Sequence, residues 1–188
     1  MTTIRSFIAI ELPNEIKNKI SELLHKIKQT RADVKWVNPQ SIHLTLKFLG
    51  NIETGKIEDI LSGIKNSSEG IKPFSVEINS ISAFPKPEYP RVVWIGINEK
   101  TGTLLTLSQK MEENLSYLGF EKEERSFKPH LTLGRVKSQK RKEQLLSFII
   151  QSKDLSLGMF SVTEISLMQS ILKPSGAEYS CLGRVGLK

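Results

Sequence analysis

The chain is written twice. His-Leu-Thr-Leu occurs at 43–46 and again at 130–133, in a sequence with only one other histidine, His25. At that offset of 87 residues, from His43 to His130, other segments fall into line. "FIAIE" at Phe7–Glu11 meets "WIGIN" at Trp94–Asn98. The apolar stripe Ile16, Ile20, Leu23, Leu24 and Ile27 meets Leu104, Leu107, Met111, Leu115 and Leu118, both at helical spacing. The pattern Ile57, Ile60, Leu61 and Ile64 meets "RKEQLLSFIIQ", and "FSVEI" at Phe74–Ile78 meets "FSVTEI" at Phe160–Ile165 within one residue. Agreement in order and spacing implies an internal duplication, residues 4–80 and 91–167, inside one bilobal domain spanning 1–188.

A duplicated unit narrows the fold. Each half reads strand–helix–strand–helix–strand, with "FIAIE" alternating as a half-buried strand does. Pro13 suits a first helical turn, "NSSEG" stops the second helix and Gly119 caps the third. The order does not follow simple parallel winding. The expectation is therefore α+β and bilobal: two pseudo-symmetric halves, each with an antiparallel sheet and outer helices. A pseudo-two-fold axis turns the two His-Leu-Thr-Leu strands into opposite walls of one active-site cleft. "FPKPEYPR" at Phe84–Arg91 reads as a proline-rich loop joining the halves.

Composition excludes several classes. The 188 residues suffice to bury a core. No apolar run approaches the ~18 residues of a membrane span. The start, "MTTIRSFIAIELPNE", has no small-residue cleavage site and reads as a strand. The single cysteine, Cys181, cannot form an internal disulfide, argues against a thiolate metal site and points to the cytoplasm. With 27 Lys and Arg against 20 Asp and Glu, the net charge of +7 favours polyanions such as RNA or nucleotides. No heptad pattern is present, so a monomer is the default.

Alternate residues of a strand share a face. His43 and Thr45 therefore project together, as do His130 and Thr132, with Leu44, Leu46, Leu131 and Leu133 turned into the core. Two facing imidazoles suit acid–base chemistry near neutral pH, one taking a proton from a nucleophile and one giving a proton to a leaving group. The Thr45 and Thr132 hydroxyls can donate to oxygens held between them. This set matches in-line displacement at phosphorus. Neither phrase contains an acid or cysteine of the kind metal sites recruit. No Gly-x-Ser-x-Gly turn and no phosphate loop occur. His25, in "LLHKIK", lacks a Thr partner and reads as a surface residue.

The paired phrases, with "RSFIAIELP", "WVNPQSIHLTLKFLG", "PRVVWIGI", "RSFKPHLTLGRV" and "FSVTEISLMQSILKPSGAEY", resemble the two-histidine phosphoesterase superfamily over nearly the whole chain. Within it they resemble the RNA 2′,3′-cyclic phosphodiesterases, also described as 2′–5′ RNA ligase-like. The resemblance implies metal-independent hydrolysis of RNA 2′,3′-cyclic phosphate ends to 2′-phosphates, without a cofactor. It implies His43 as proton donor to the departing 3′-oxygen and His130 as proton acceptor from water. Arg135 matches a basic residue that follows the second phrase in relatives. Strand alternation sets it on the face opposite His130, so a phosphate-binding role requires a bulge or the strand end. Lys47 has the right parity for phosphate, and Gly134 stands at its place in the second half.

Phe48, Phe84 and Phe127 are candidates to stack on a base, with core packing as the competing role for each. Arg91 and Arg125 either add charge at the rim or are solvated surface. Two other readings compete. The same proton transfers run backwards would join a cyclic end to a 5′-hydroxyl, which water at ~55 M disfavours. A non-catalytic nucleotide- or RNA-binding module would use the same cleft without turnover. The sequence leaves open RNA ends, small cyclic nucleotides and other cyclic esters as substrate.

Overall fold

The computed structural model describes residues 2–173 and 176–188. Nine strands and four helices follow in order: β1 (Thr3–Glu11), α1 (Asn14–Lys28), β2 (Val34–Trp36), β3 (His43–Glu53), α2 (Ile57–Ser68), β4 (Phe74–Lys86), β5 (Tyr89–Asn98), α3 (Thr103–Ser116), β6 (His130–Val136), α4 (Lys142–Gln151), β7 (Ser156–Val162), β8 (Glu164–Lys173) and β9 (Gly176–Gly186). The helices form where the sequence shows a 3.6-residue stripe, and the stripe is what they bury. Ile16, Ile20, Leu24 and Ile27 of α1 are at most 2% exposed, and Leu104, Leu107, Met111 and Leu115 of α3 likewise. Pro13 stands one place before α1, at its N-cap. The Glu99 carboxylate accepts from Leu104 N (3.1 Å), covering a free donor in the first turn of α3.

Two antiparallel sheets form, in the orders β3-β1-β8-β9 and β2-β6-β5-β4-β7. The class is α+β, as expected, but a sheet is not a sequence half. β4 of the first half lies in the second sheet, and β8 of the second half lies in the first. The reason is local. "FPKPEYPR" is no free loop: β4 and β5 pair through Lys86 and Tyr89 as a hairpin, so the junction between halves is the turn at Pro87 and Glu88. A tight hairpin forces its second strand beside its first. Pro85 is tolerated because β7 pairs with β4 only over Phe74–Asn79 and leaves that end unpaired on its far side.

Registers also correct the offset. In β3 and β6 equivalent residues are 87 apart, but Ala9 pairs with Thr45 while Trp94 pairs with Thr132. In β1 and β5 the structural offset is therefore 85, from Ala9 to Trp94. A slip of two keeps every side chain on its face, so the apolar pattern cannot reveal it. One core runs through both sheets and all four helices, from Ile8 and Leu44 through Ile64 to Val93, Leu115, Leu131 and Leu145. A second, small cluster of Phe7, Ala9 and Met168, covered by Tyr179, lies on the other face of the first sheet. That face is the one that carries His43.

Candidate active site

The geometry of the site begins with two bulges. Ile8 pairs with Lys47 and Ala9 with Thr45, leaving Leu46 without a partner. Val93 pairs with Gly134 and Trp94 with Thr132, leaving Leu133 without one. The bulged leucines are themselves 87 apart. Each bulge reverses strand parity beyond it, a common device for re-aiming a side chain beside a site. Leu46 and Lys47 are consecutively buried, as are Leu133 and Gly134. His43, Thr45 and Phe48 therefore share one face of β3, and His130, Thr132 and Arg135 share one face of β6. The two strands contact each other across the gap between the sheets.

Both imidazoles are anchored in the same way. His43 Nδ1 lies 2.9 Å from the Ser41 carbonyl oxygen, and His130 Nδ1 lies 2.7 Å from the Lys128 carbonyl oxygen. A carbonyl only accepts, so each Nδ1 carries the hydrogen. In the neutral ring the lone pair is then on Nε2, the nitrogen left for chemistry.

The surroundings differ. His43 lies nearly parallel to Phe7 at 4.5 Å and edge-to-face with Tyr179 at 5.0 Å. His130 meets Phe84 edge-on at 5.1 Å and Trp94 at 6.2 Å, and Phe84 stacks on Trp94 at 4.9 Å. Glu11 stands directly across from His43 in the β1–β3 register. Its carboxylate accepts from Ser166 Oγ (2.8 Å) and from Arg184 Nε (3.2 Å) and Nη2 (3.1 Å). Burial pushes the His43 imidazole below its ordinary value; the Ser41 carbonyl and Glu11 carboxylate pull it up, and Lys17 pushes it down. Burial raises the Tyr179 phenol, against the pull of Arg5 and Arg135. Arg135 thus comes from the second sheet to bear on a side chain of the first.

The remaining sequence candidates divide. Lys47 is 6% exposed and faces away from the cleft. Its ammonium is paired with Glu112 of α3 and donates to the Glu121 carbonyl oxygen at 2.8 Å, so the phosphate role is corrected to a structural one. Phe48 is 70% exposed at the cleft rim. Phe127 is half-buried and packs against the main core. Arg91, Arg125 and His25 are exposed. Sequence reasoning missed Phe7, Trp94, Glu11 and Tyr179. Alternation in "FIAIE" does set Phe7, Ala9 and Glu11 on one face. Tyr179 lies on β9, for which the sequence reading drew no counterpart.

Two antiparallel sheets presenting opposed His-x-Thr strands, with neither Nε2 hydrogen-bonded among the described residues, are the arrangement of a two-histidine phosphoesterase. The chain belongs to the LigT-like phosphoesterase family, whose model matches it twice in tandem, over residues 10–94 and 95–179. It is 36% identical to the RNA 2′,3′-cyclic phosphodiesterase of Methanocaldococcus jannaschii, over 95% of this chain and 98% of that protein. It is 34% identical to the protein of that name from Methanothermobacter thermautotrophicus, over 94% and 95%. A crystal structure of a Thermus thermophilus protein superposes with a TM-score of 0.81 at 26% identity, covering 98% of each chain. No helix among the described residues is long and apolar enough to cross a membrane.

Proposed function

We propose that the protein hydrolyses RNA 2′,3′-cyclic phosphate ends to 2′-phosphates, with its two histidines as acid and base. The matched anchoring of His43 and His130 through Nδ1 carries this reading, because it leaves two Nε2 atoms for two proton transfers. The names of relatives at 34–36% identity over nearly full length support the substrate class.

The His130 Nε2 takes a proton from water as its oxygen attacks phosphorus. The P–O3′ bond breaks, and the protonated His43 Nε2 gives its hydrogen to O3′. The products are a 3′-hydroxyl and a 2′-phosphomonoester, and solvent exchange returns His130 to neutral and His43 to charged. The Thr45 and Thr132 hydroxyls donate to the non-bridging oxygens, and the Arg135 guanidinium offsets their charge. Burial works against a charged His43, while the Phe7 π-face at 4.5 Å and the Glu11 carboxylate work for it. The anionic substrate would add to the second group and favour the charged donor. Every proton step is assigned to a side chain, so no metal is required. The reverse reaction, 2′–5′ joining, uses the same groups.

The reading includes a cytoplasmic monomer, checked by sedimentation. The decisive assay incubates an oligoribonucleotide ending in a 2′,3′-cyclic phosphate with the protein in EDTA. A 2′-phosphate end is expected from the wild type and from neither His43→Ala nor His130→Ala. Tight nucleotide binding by folded wild type without product would replace it with the binding module.

A further inference from the structure

We propose that the cleft holds a second nucleotide subsite, for the residue on the 5′ side of the cyclic terminus, built from Phe48, Arg5 and Asn51. It rests on the reading above and adds a preference for chains over single nucleotides.

Phe48 is bracketed by two irregularities. Leu46 is bulged on one side of it; on the other, Phe7 pairs with Phe48 and Ser6 with Gly50, leaving Leu49 unpaired. The first turns Phe48 onto the histidine face, and the second preserves that face for Asn51, the direct partner of Arg5. Arg5 shares its face with Phe7, two residues on and ~7 Å along the strand. Its charge acts on the Tyr179 phenol inside the cleft. The rings step outward from the reaction centre: His43 against Phe7 at 4.5 Å, then Phe7 against Phe48 at 6.3 Å and 46°.

Beyond Phe48 there is solvent, since 70% of it is exposed. Packing does not account for a phenyl ring held there by two bulges. An exposed aromatic face beside a guanidinium and a carboxamide is the set that single-stranded RNA uses: stacking for a base, charge for the linking phosphate, hydrogen bonds for a base edge. The equivalent position on the facing wall is Arg135, also exposed. A strand leaving the histidines thus passes between a ring and a second cation.

The test compares kcat/KM for a nucleoside 2′,3′-cyclic phosphate and a trinucleotide ending in one. Base–aromatic stacking predicts a preference for the trinucleotide of roughly tenfold or more. Phe48→Ala should collapse the ratio towards one, and Phe48→Trp should keep it. Arg5→Gln should lower the ratio and flatten its dependence on salt. Equal kcat/KM on both substrates, or an equal loss on both in Phe48→Ala, overturns the subsite. Titration with the 2′-phosphate mono- and trinucleotides reads binding without turnover. A trinucleotide advantage there, lost in Phe48→Ala, upholds the subsite even if hydrolysis fails; equal affinities overturn it.

Discussion

Lys47→Met should unfold the protein more easily without touching its chemistry. The Lys47 side chain is 5% exposed and that of Glu112 is 19% exposed. The ammonium also holds the Glu121 carbonyl, while the Glu112 carboxylate accepts from Glu123 N at 3.1 Å. The pair therefore ties β3, which carries His43, to α3 and to the segment that leads into His130. Breaking a buried pair from one side costs ~3–5 kcal/mol. Glu112 can turn partly to water, and methionine fills most of the lysine volume, so ~2–3 kcal/mol is expected here. With a urea slope of ~2 kcal/mol/M, the midpoint falls by ~1–1.5 M. Urea denaturation followed by far-UV circular dichroism reads that shift, and kcat/KM is taken well below the transition. The double variant Lys47→Met with Glu112→Gln should recover part of the loss, because the orphaned carboxylate is gone. A midpoint within ~0.2 M of wild type together with a tenfold rise in KM would refute the argument and return Lys47 to the phosphate.

Other expectations follow from single contacts. By NMR, the His43 ring in the free protein should titrate below the ordinary ~6.5, and Glu11→Gln should lower it further. A depressed folded value means the neutral ring's contribution to stability is full above ~6.5 and lost as pH falls through the folded value, so His43→Leu should blunt acid sensitivity between ~6.5 and that value. Gly134→Ala would put a Cβ 2.6 Å from Val34 Cγ1 and 2.8 Å from Trp36 Cε3, costing ~1–3 kcal/mol by thermal denaturation as β2 is pushed off β6. Tyr179→Ala removes the ring edge-on to His43 and Phe7 and should lower kcat/KM roughly two- to tenfold, while Tyr179→Phe retains the contact; an equal loss in both would assign the effect to the hydroxyl.

What the sequence reveals follows from which signals are local. Helix stripes and the shared face of His43 and Thr45 are set by period alone, so they can be read from letters. The exchange of β4 and β8 between sheets cannot, because alternation marks a strand and not its partner. Parity also carries the Lys47 and Arg135 assignments only as far as the bulge. Leu46 and Leu133 are ordinary apolar letters, and nothing in the strand itself shows that its neighbour skips them. The reading that Arg135 needs a bulge names the missing fact, while the matching bulge in β3 reverses Lys47. The slip between β1 and β5 is hidden for the opposite reason, since two residues restore every face.

Those hidden features are what make two copies of one motif unequal. The proposed reaction needs one imidazole charged and the other neutral at the same pH, which identical walls would not favour. The slip sets Glu11 across from His43 but Gly96 across from His130. A Cβ at Gly96 would already lie 3.0 Å from the Asn79 carbonyl oxygen and Ser80 Oγ, so the second wall has no room for a carboxylate there. The same slip puts Ala9 against Thr45 and Trp94 against Thr132. β2 belongs to one sheet only, and its Val34 and Trp36 cover Gly134, where the other wall has Lys47. Duplication explains why there are two imidazoles with the same tautomer. Register and one added edge strand explain why their surroundings differ, and both act through neighbours a strand away, beyond the reach of the His-x-Thr phrase itself.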